Sequence, residues 1–246
     1  MAVAEWRRPP RAGDLVVARV TDVGDEDHAE NRNGRRMRLH AGDMIVGALG
    51  NRYATDHYEG YVIDSPSAHL LGSGGLIGTV VSSHDAHSEP TRLEITGGLV
   101  GATGEHLSTE DFAQPAPATP MRRPPTMVVV GSGMNAGKTT VAAALIRGWV
   151  GAGLRAGAGK VTGSASGKDR WEYVDAGAAS VLDFLDFGMP STFGYPGERL
   201  AATMLGIRDR LAVDGCEAIV LEIADGLLMP ETARLLRVLR GEVDGV

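Results

Sequence analysis

The segment TMVVVGSGMNAGKTTVAAALI, residues 126–146, constrains the fold of this chain more than any other. Its opening apolar run has nothing to offer water on either side, which suits a strand buried on both faces of a parallel sheet. Residues 140–153 then read as an Ala-rich helix that stops at glycine. Between the two lie Gly131, Ser132, Gly133, Met134, Asn135, Ala136, Gly137, Lys138, Thr139 and Thr140. A strand that feeds such a turn and then a helix aims backbone N–H groups and the positive helix end at one point, where a phosphate group fits. Lys138 is expected to reach the β- and γ-phosphates, the Thr139 hydroxyl to ligate Mg2+, and Thr140 to lie toward the α-phosphate. The strict phosphate-loop spacing puts glycine at 132, where this chain has Ser132; Gly131 lies one residue earlier and Gly133 one later. A glycine-rich turn that merely caps a helix needs neither the Lys-Thr-Thr run nor the apolar strand before it.

Lysine usage supports the same reading. Of 24 basic residues only Lys138, Lys160 and Lys168 are lysine, and all three fall between residues 138 and 168. An arginine bias in composition acts everywhere, so lysines retained in one stretch mark places where a compact ammonium fits and a planar guanidinium does not. The net charge of −7 makes a general nucleic-acid binder an unsuitable reading. No apolar run approaches the length of a membrane span, and the N-terminus lacks the apolar core of a signal peptide, so no membrane partner and a cytoplasmic location are expected. The single cysteine, Cys216, allows no intrachain disulfide and reads as a small filler between a helix and a strand.

Three regions are expected: a small β-rich domain at 1–112, a Pro-rich linker at 113–125, and an α/β nucleotide-binding domain with a parallel sheet at 126–246. The first shows β-like runs at 15–20, 36–40, 44–49, 61–63, 76–81 and 92–95, parted by turn chemistry, and reads as a barrel or sandwich. The third alternates strands and helices, with strands at 126–131, 155–161 and 217–223 and helices near 172–187, 197–212 and 230–240. Only about three full strands fit there, and EVDGV at 242–246 resembles the approach to another. Either a partner, such as a second copy in a homodimer, completes the sheet, or the sequence belongs to a longer chain.

With Gly131 six residues before Gly137, the loop resembles that of dethiobiotin synthetase and its relatives in the MinD-like branch of P-loop proteins, over roughly residues 126–226. The segment from Lys160 to Gly167 is similar to that family's Lys-Pro-Val-x-Ser-Gly segment, although Val161 replaces its proline. The resemblance implies that Lys160 faces the substrate and the transferred phosphate. It likewise implies that Asp175, followed by Ala176, helps hold Mg2+, with Asp169 as a competitor six residues earlier. Glu222 resembles the glutamate of a Val-Glu-Gly-Ala-Gly segment. An acidic group at the carboxyl end of a parallel strand points into the ligand crevice, and either Glu222 or Asp225 serves there. The overall layout also resembles an uncharacterised P-loop family associated with D-glutamate N-acetylation.

The expected function is therefore ATP- and Mg2+-dependent phosphoryl transfer to a small acceptor of carboxylate type, with Lys138 and Lys160 as the catalytic cations. The alternative is a MinD-like nucleotide switch acting on a protein partner; against it, residues 132–136 contain no additional lysine. Two loops, 50–60 and 186–195, combine aromatic and polar groups and suit either substrate contact or structured connection. Lys168 suits an anion contact or plain exposure. His84-Asp85-Ala86-His87 carries metal-ligand residue types without a third cluster to complete a site.

Overall fold

The computed structural model describes residues 2–6, 8–85, 89–224 and 226–246. His87 and Asp225 lie outside the described residues. Two compact units emerge, the first comprising Met1–Ala113 together with Ser164–Gly167 and Gly188–Phe193, the second the remainder of Gln114–Val246.

The first unit holds β1 (Ala2–Ala4), β2 (Leu15–Asp22), β3 (His28–Glu30), β4 (Arg36–Arg38), β5 (Met44–Leu49), β6 (Arg52–Tyr53), β7 (Tyr58–Tyr61), β8 (Ser67–Gly72), β9 (Leu76–Ser83) and β10 (Arg92–Val100). Its main sheet runs β1-β10-β2-β5-β9-β7-β6, and β8 pairs with both β10 and β9. The path β10-β2-β5-β9-β8 thus returns to β10, closing a five-stranded barrel in which the β5–β9 pair is parallel. Alternation explains the closure: in β2, Val16, Ala18 and Val20 are fully buried between more exposed neighbours. Leu70, Ile77 and Leu93 from three further strands fill the same interior. The β8 strand, SAHLLG, was absent from the expectation because its polar residues and the adjoining glycines read as turn.

The later segments that cluster with this unit are anchored there by hydrogen bonds. The Glu30 carboxylate accepts from the Gly167 amide at 2.7 Å and the Ser166 hydroxyl at 3.2 Å. Thr109 donates to the Gly188 carbonyl and Ser191 to the Asn51 carbonyl, both at 2.6 Å.

The second unit holds β11 (Thr126–Val129), α1 (Lys138–Gly151), β12 (Ala156–Lys160), α2 (Gly167–Asp175), β13 (Ser180–Asp183), α3 (Gly197–Val213), β14 (Ala218–Glu222) and α4 (Pro230–Val238). Gly167, which opens α2, clusters with the first unit. Its four strands are all parallel, in the order β11-β14-β12-β13. The α/β class with a parallel sheet, preceded by a mainly-β region, is thus the class expected.

Alternation along β12, AGAGK, assigns its faces. Ala156 and Ala158 pack with Ala142 and Ile146 of α1 and Tyr173 of α2. Gly157 and Gly159 face α3, whose Leu200, Met204, Ile207 and Leu211 form a fully buried stripe. At Gly159 a Cβ would lie 2.4 Å from Ile207 Cγ2, so the close approach of α3 requires glycine there.

Two expectations are corrected. The helix expected near 172–187 is three elements: α2 ends at Asp175, β13 pairs in parallel with β12, and a one-turn 3-10 helix covers Phe184–Phe187. Apolar residues at 181, 182, 184 and 185 imitate a helical period, but Gly177 at φ 98° breaks the helix. The open edge of β12 then takes the short Val-Leu segment as a strand, tertiary pairing overriding local pattern. The sheet accordingly has four full strands rather than three. Beyond them, the Asp244 amide donates to the Thr126 carbonyl and the Val128 amide to the Gly245 carbonyl, a parallel bridge on the outer edge of β11. Among the described residues, no helix is long and apolar enough to cross a membrane.

Candidate functional site

One row of residues across the sheet organises the site. The pairing register matches Val129 with Glu222, Glu222 with Lys160, and Lys160 with Asp183. These are the carboxyl ends of four adjacent parallel strands, spaced about 4.8 Å apart. The glycine-rich loop leaves β11 immediately after Val129, so it rises beside Glu222 and Lys160, on the sheet edge where open α/β folds bind ligands.

The loop has the backbone that its sequence requires. Gly137 has φ 83° at the N-cap of α1, a left-handed conformation that glycine adopts without strain. Asn135 has φ 57°, a conformation asparagine tolerates better than most residues. Strand β11 ends two residues earlier than expected, which gives Val130 and Gly131 to the loop. Lys138 begins α1 and shares its buried stripe with Ala142 and Ile146, at four-residue spacing. The ammonium donates to the Gly133 carbonyl at 2.7 Å, so the cation is folded over the loop. After β14 the chain returns to the same place, with the Leu227 amide donating to the Gly131 carbonyl at 3.1 Å.

Strand alternation turns Lys160 and Glu222 to one face. Ala158 and Val220 share a core cluster with Tyr173, and the residues two positions further on, Lys160 and Glu222, point the same way. Helix α2 meets both. Lys160 forms an ion pair with Asp169, each side chain about one-sixth exposed. Four residues along the same helical face, the Tyr173 hydroxyl donates to Glu222 Oε2. Glu222 is only 2% exposed. Burial, reinforced by the Glu222 charge, pushes the Tyr173 phenol well above its ordinary range, so it remains a neutral donor.

The structure thus brings Lys138, Thr139, Lys160 and Glu222 together with two residues to which the sequence reading gave little weight. Asp169 entered there only as a competitor of Asp175, and Tyr173 not at all. The usable signal was the Asp-x-x-x-Tyr spacing, which puts both on one helix face. Asp175 is exposed at the C-terminal end of α2, six residues, or about 9 Å of helix rise, from Asp169. Lys168 is exposed in the first turn of α2.

The two loops that carried alternative readings meet within the first unit. The Phe193 ring lies 5.6 Å from Tyr53 and 6.0 Å from Tyr61, and residues 188–192 are buried, so both loops have a packing role. The His84 amide donates to the His57 carbonyl at 2.9 Å. Cys216 sits in the connection from α3 to β14, 4% exposed.

Among the described residues no group of three or more His, Cys, Asp or Glu forms a self-contained metal cage. Mg2+ does not need one, because it takes one or two protein oxygens and completes its shell with phosphate and water. The Thr139 hydroxyl, one residue after Lys138, and the Glu222 carboxylate, at the end of the neighbouring strand, are hard oxygen donors that fit that requirement.

No protein-family model and no curated protein matches this chain. Among solved structures it is similar to the signal recognition particle receptor FtsY from Elizabethkingia anophelis, at 18% identity and TM-score 0.36, covering 54% of this chain and 40% of that one. It is also similar to the signal recognition particle 54 kDa protein of Aeropyrum pernix K1 in complex with GDP, at 20% identity and TM-score 0.35, covering 53% and 30%. For the cell division protein FtsY of Thermotoga maritima the figures are 14% identity, TM-score 0.37, and 55% and 45% coverage. The chain spans less than half the length of each of these proteins.

Proposed function

We propose that the second unit binds a nucleoside triphosphate with Mg2+ and passes its γ-phosphoryl group to a small carboxylate. The observation that supports this most is the row that sets Glu222 and Lys160 beside the loop carrying Lys138. Loop amides and the N-terminus of α1 would cradle the phosphates. Lys138 and Lys160 would offset charge on the transferred group, so catalysis is positioning and electrostatics. Thr139 and Glu222 would hold Mg2+, which would supply charge neutralisation for the phosphates. In the transfer an acceptor carboxylate oxygen forms a bond to the γ-phosphorus as the bond to the β-phosphate oxygen breaks, giving an acyl phosphate and a nucleoside diphosphate. Lys160 would exchange Asp169 for the transferred group. The proposal includes a cytoplasmic location, where nucleoside triphosphates are abundant.

Calorimetric titration with Mg-ATP and Mg-GTP tests the nucleotide site. Lys138→Ala is expected to weaken binding about 10- to 100-fold, the worth of a hydrogen bond to a charged phosphate. Unchanged affinity would sink the assignment of the loop. The transfer step is read separately: turnover should be negligible alone and rise with one member of a small carboxylate library. Turnover that rises only with a protein partner, together with nucleotide-dependent pairing of two copies in light scattering, would instead favour the MinD-like switch.

A further inference from the structure

The ribbon formed by β3 and β4 concentrates positive charge in a chain that is acidic overall. Residues 31–38 contain Arg32, Arg35, Arg36 and Arg38 and no carboxylate, although the net charge is −7. All four arginines are exposed. Among the described residues, none of their side chains forms an ion pair or a hydrogen bond. The carboxylates nearest in sequence are engaged elsewhere: Glu26 with His57 at 3.1 Å, Asp27 with His28 at 2.5 Å, and Glu30 with the Gly167 amide at 2.7 Å.

The ribbon also has an open edge, since among the described residues β4 pairs with β3 and with no other strand. In an antiparallel pair, opposed residues alternate between those that exchange backbone hydrogen bonds and those that do not. The register opposes His28 with Arg38, Ala29 with Met37 and Glu30 with Arg36. The Leu39 amide donates to the Asp27 carbonyl at 2.8 Å and the Asn31 amide to the Arg35 carbonyl at 3.0 Å, so both of those pairs belong to the bonded set. Ala29 and Met37 fall in the same set, which leaves the amides and carbonyls of Arg36 and Arg38 pointing outward along the edge. Their side chains share one face, about 6.8 Å apart. Met37 lies on the other face with Ala29, which packs in the barrel core.

We infer that the open edge of β4 receives an extended acidic segment of a protein partner as a third strand, with its carboxylates at alternate positions opposite Arg36 and Arg38. Such a strand gains main-chain hydrogen bonds from the outward amides and a salt bridge at each guanidinium. Arg32 and Arg35, at the turn, extend the field that draws it in. The same charges discourage other occupants. Two β4 edges brought together would oppose arginine to arginine, so a second copy is a poor fit. A long nucleic acid meets an acidic remainder of the protein, and residues 29–39 hold no aromatic ring on which a base could stack. The tip, Arg32 to Arg35, has no apolar residue to enter a lipid surface. The inference is independent of the nucleotide reading given above.

The test uses the full chain and a short fluorescein-labelled peptide in which glutamate alternates with threonine. Fluorescence anisotropy at low salt should show saturable binding, and amide hydrogen exchange followed by NMR should slow at Arg36 and Arg38 when the peptide is added. That second readout needs no substitution. Arg36→Glu combined with Arg38→Glu should weaken binding about tenfold or more, with the thermal midpoint unchanged. The same double variant should bind a peptide in which lysine replaces glutamate. Absence of binding overturns the proposal and leaves the arginines as simple protection of an edge. Binding without slower exchange at Arg36 and Arg38 overturns it as well, because charge alone would then suffice. Tighter binding of polyuridylic acid or of phosphatidylserine vesicles than of the peptide would transfer the surface to nucleic acid or lipid and overturn it. Salt-sensitive self-association in light scattering, abolished by the double variant, would give the edge to a second copy and likewise overturn it.

Discussion

Cys216 shows at the residue scale how burial alone decides chemistry. Burial lifts its thiol to about 11, against the weaker opposing pull of Arg155, and its sulfur would lie 2.8 Å from a Cβ at Gly157. A thiol held protonated is a poor nucleophile. The native protein at pH 8 should therefore leave a disulfide reagent such as dithiobis-nitrobenzoate almost unreacted, and guanidinium should release one thiol per chain. Fast reaction of the native protein would mean that the α3–β14 connection opens. What was legible at this scale followed residue type: a lysine and a threonine after a glycine-rich turn, and a glutamate at a strand end. Asp169 and Tyr173 were hidden because their importance comes from the helix face they share and from the strands opposite, neither of which is written in their immediate neighbours.

Elements were legible where one period dominated. The β11, α1 and β14 segments have an unmixed pattern, and the structure follows it to within about two residues. Residues 176–187 mix periods, and there the parallel edge of β12 decided the outcome. The glycines of β12 looked uninformative in sequence, yet they set how closely α3 approaches the sheet. Gly159→Ala puts a methyl group 2.4 Å from Ile207 and 2.7 Å from Leu221, contacts that must give way. Overpacking of this kind costs about 1–3 kcal/mol. Differential scanning calorimetry should show a midpoint lowered by several degrees; an unchanged midpoint would mean that α3 shifts freely over the sheet.

On the scale of the whole molecule, the first unit is not a contiguous stretch of chain. Ser166 and Gly167 satisfy Glu30, Gly188 accepts from Thr109, and Phe193 covers Tyr53, although these partners lie 79 to 140 residues apart. The first stretch of this unit ends at Ala113, and no local pattern could show that later segments return to the barrel unit. Residues 1–113 expressed alone should therefore melt at a lower temperature than the barrel signal in the full chain, or without a cooperative transition. Equal midpoints would make the returning segments dispensable.

The strand order of the second unit also dictates when its site comes into being. Strands β11 and β12 are made early but do not touch; each pairs with β14, which is synthesised after both and inserts between them. A chain still emerging from the ribosome therefore carries the glycine-rich loop and all three lysines before it has a sheet to hold them. Until residue 222 is free to enter the centre, the loop has no acidic neighbour and α1 no floor. On the function proposed above, nucleotide capture is thereby coupled to the completion of folding.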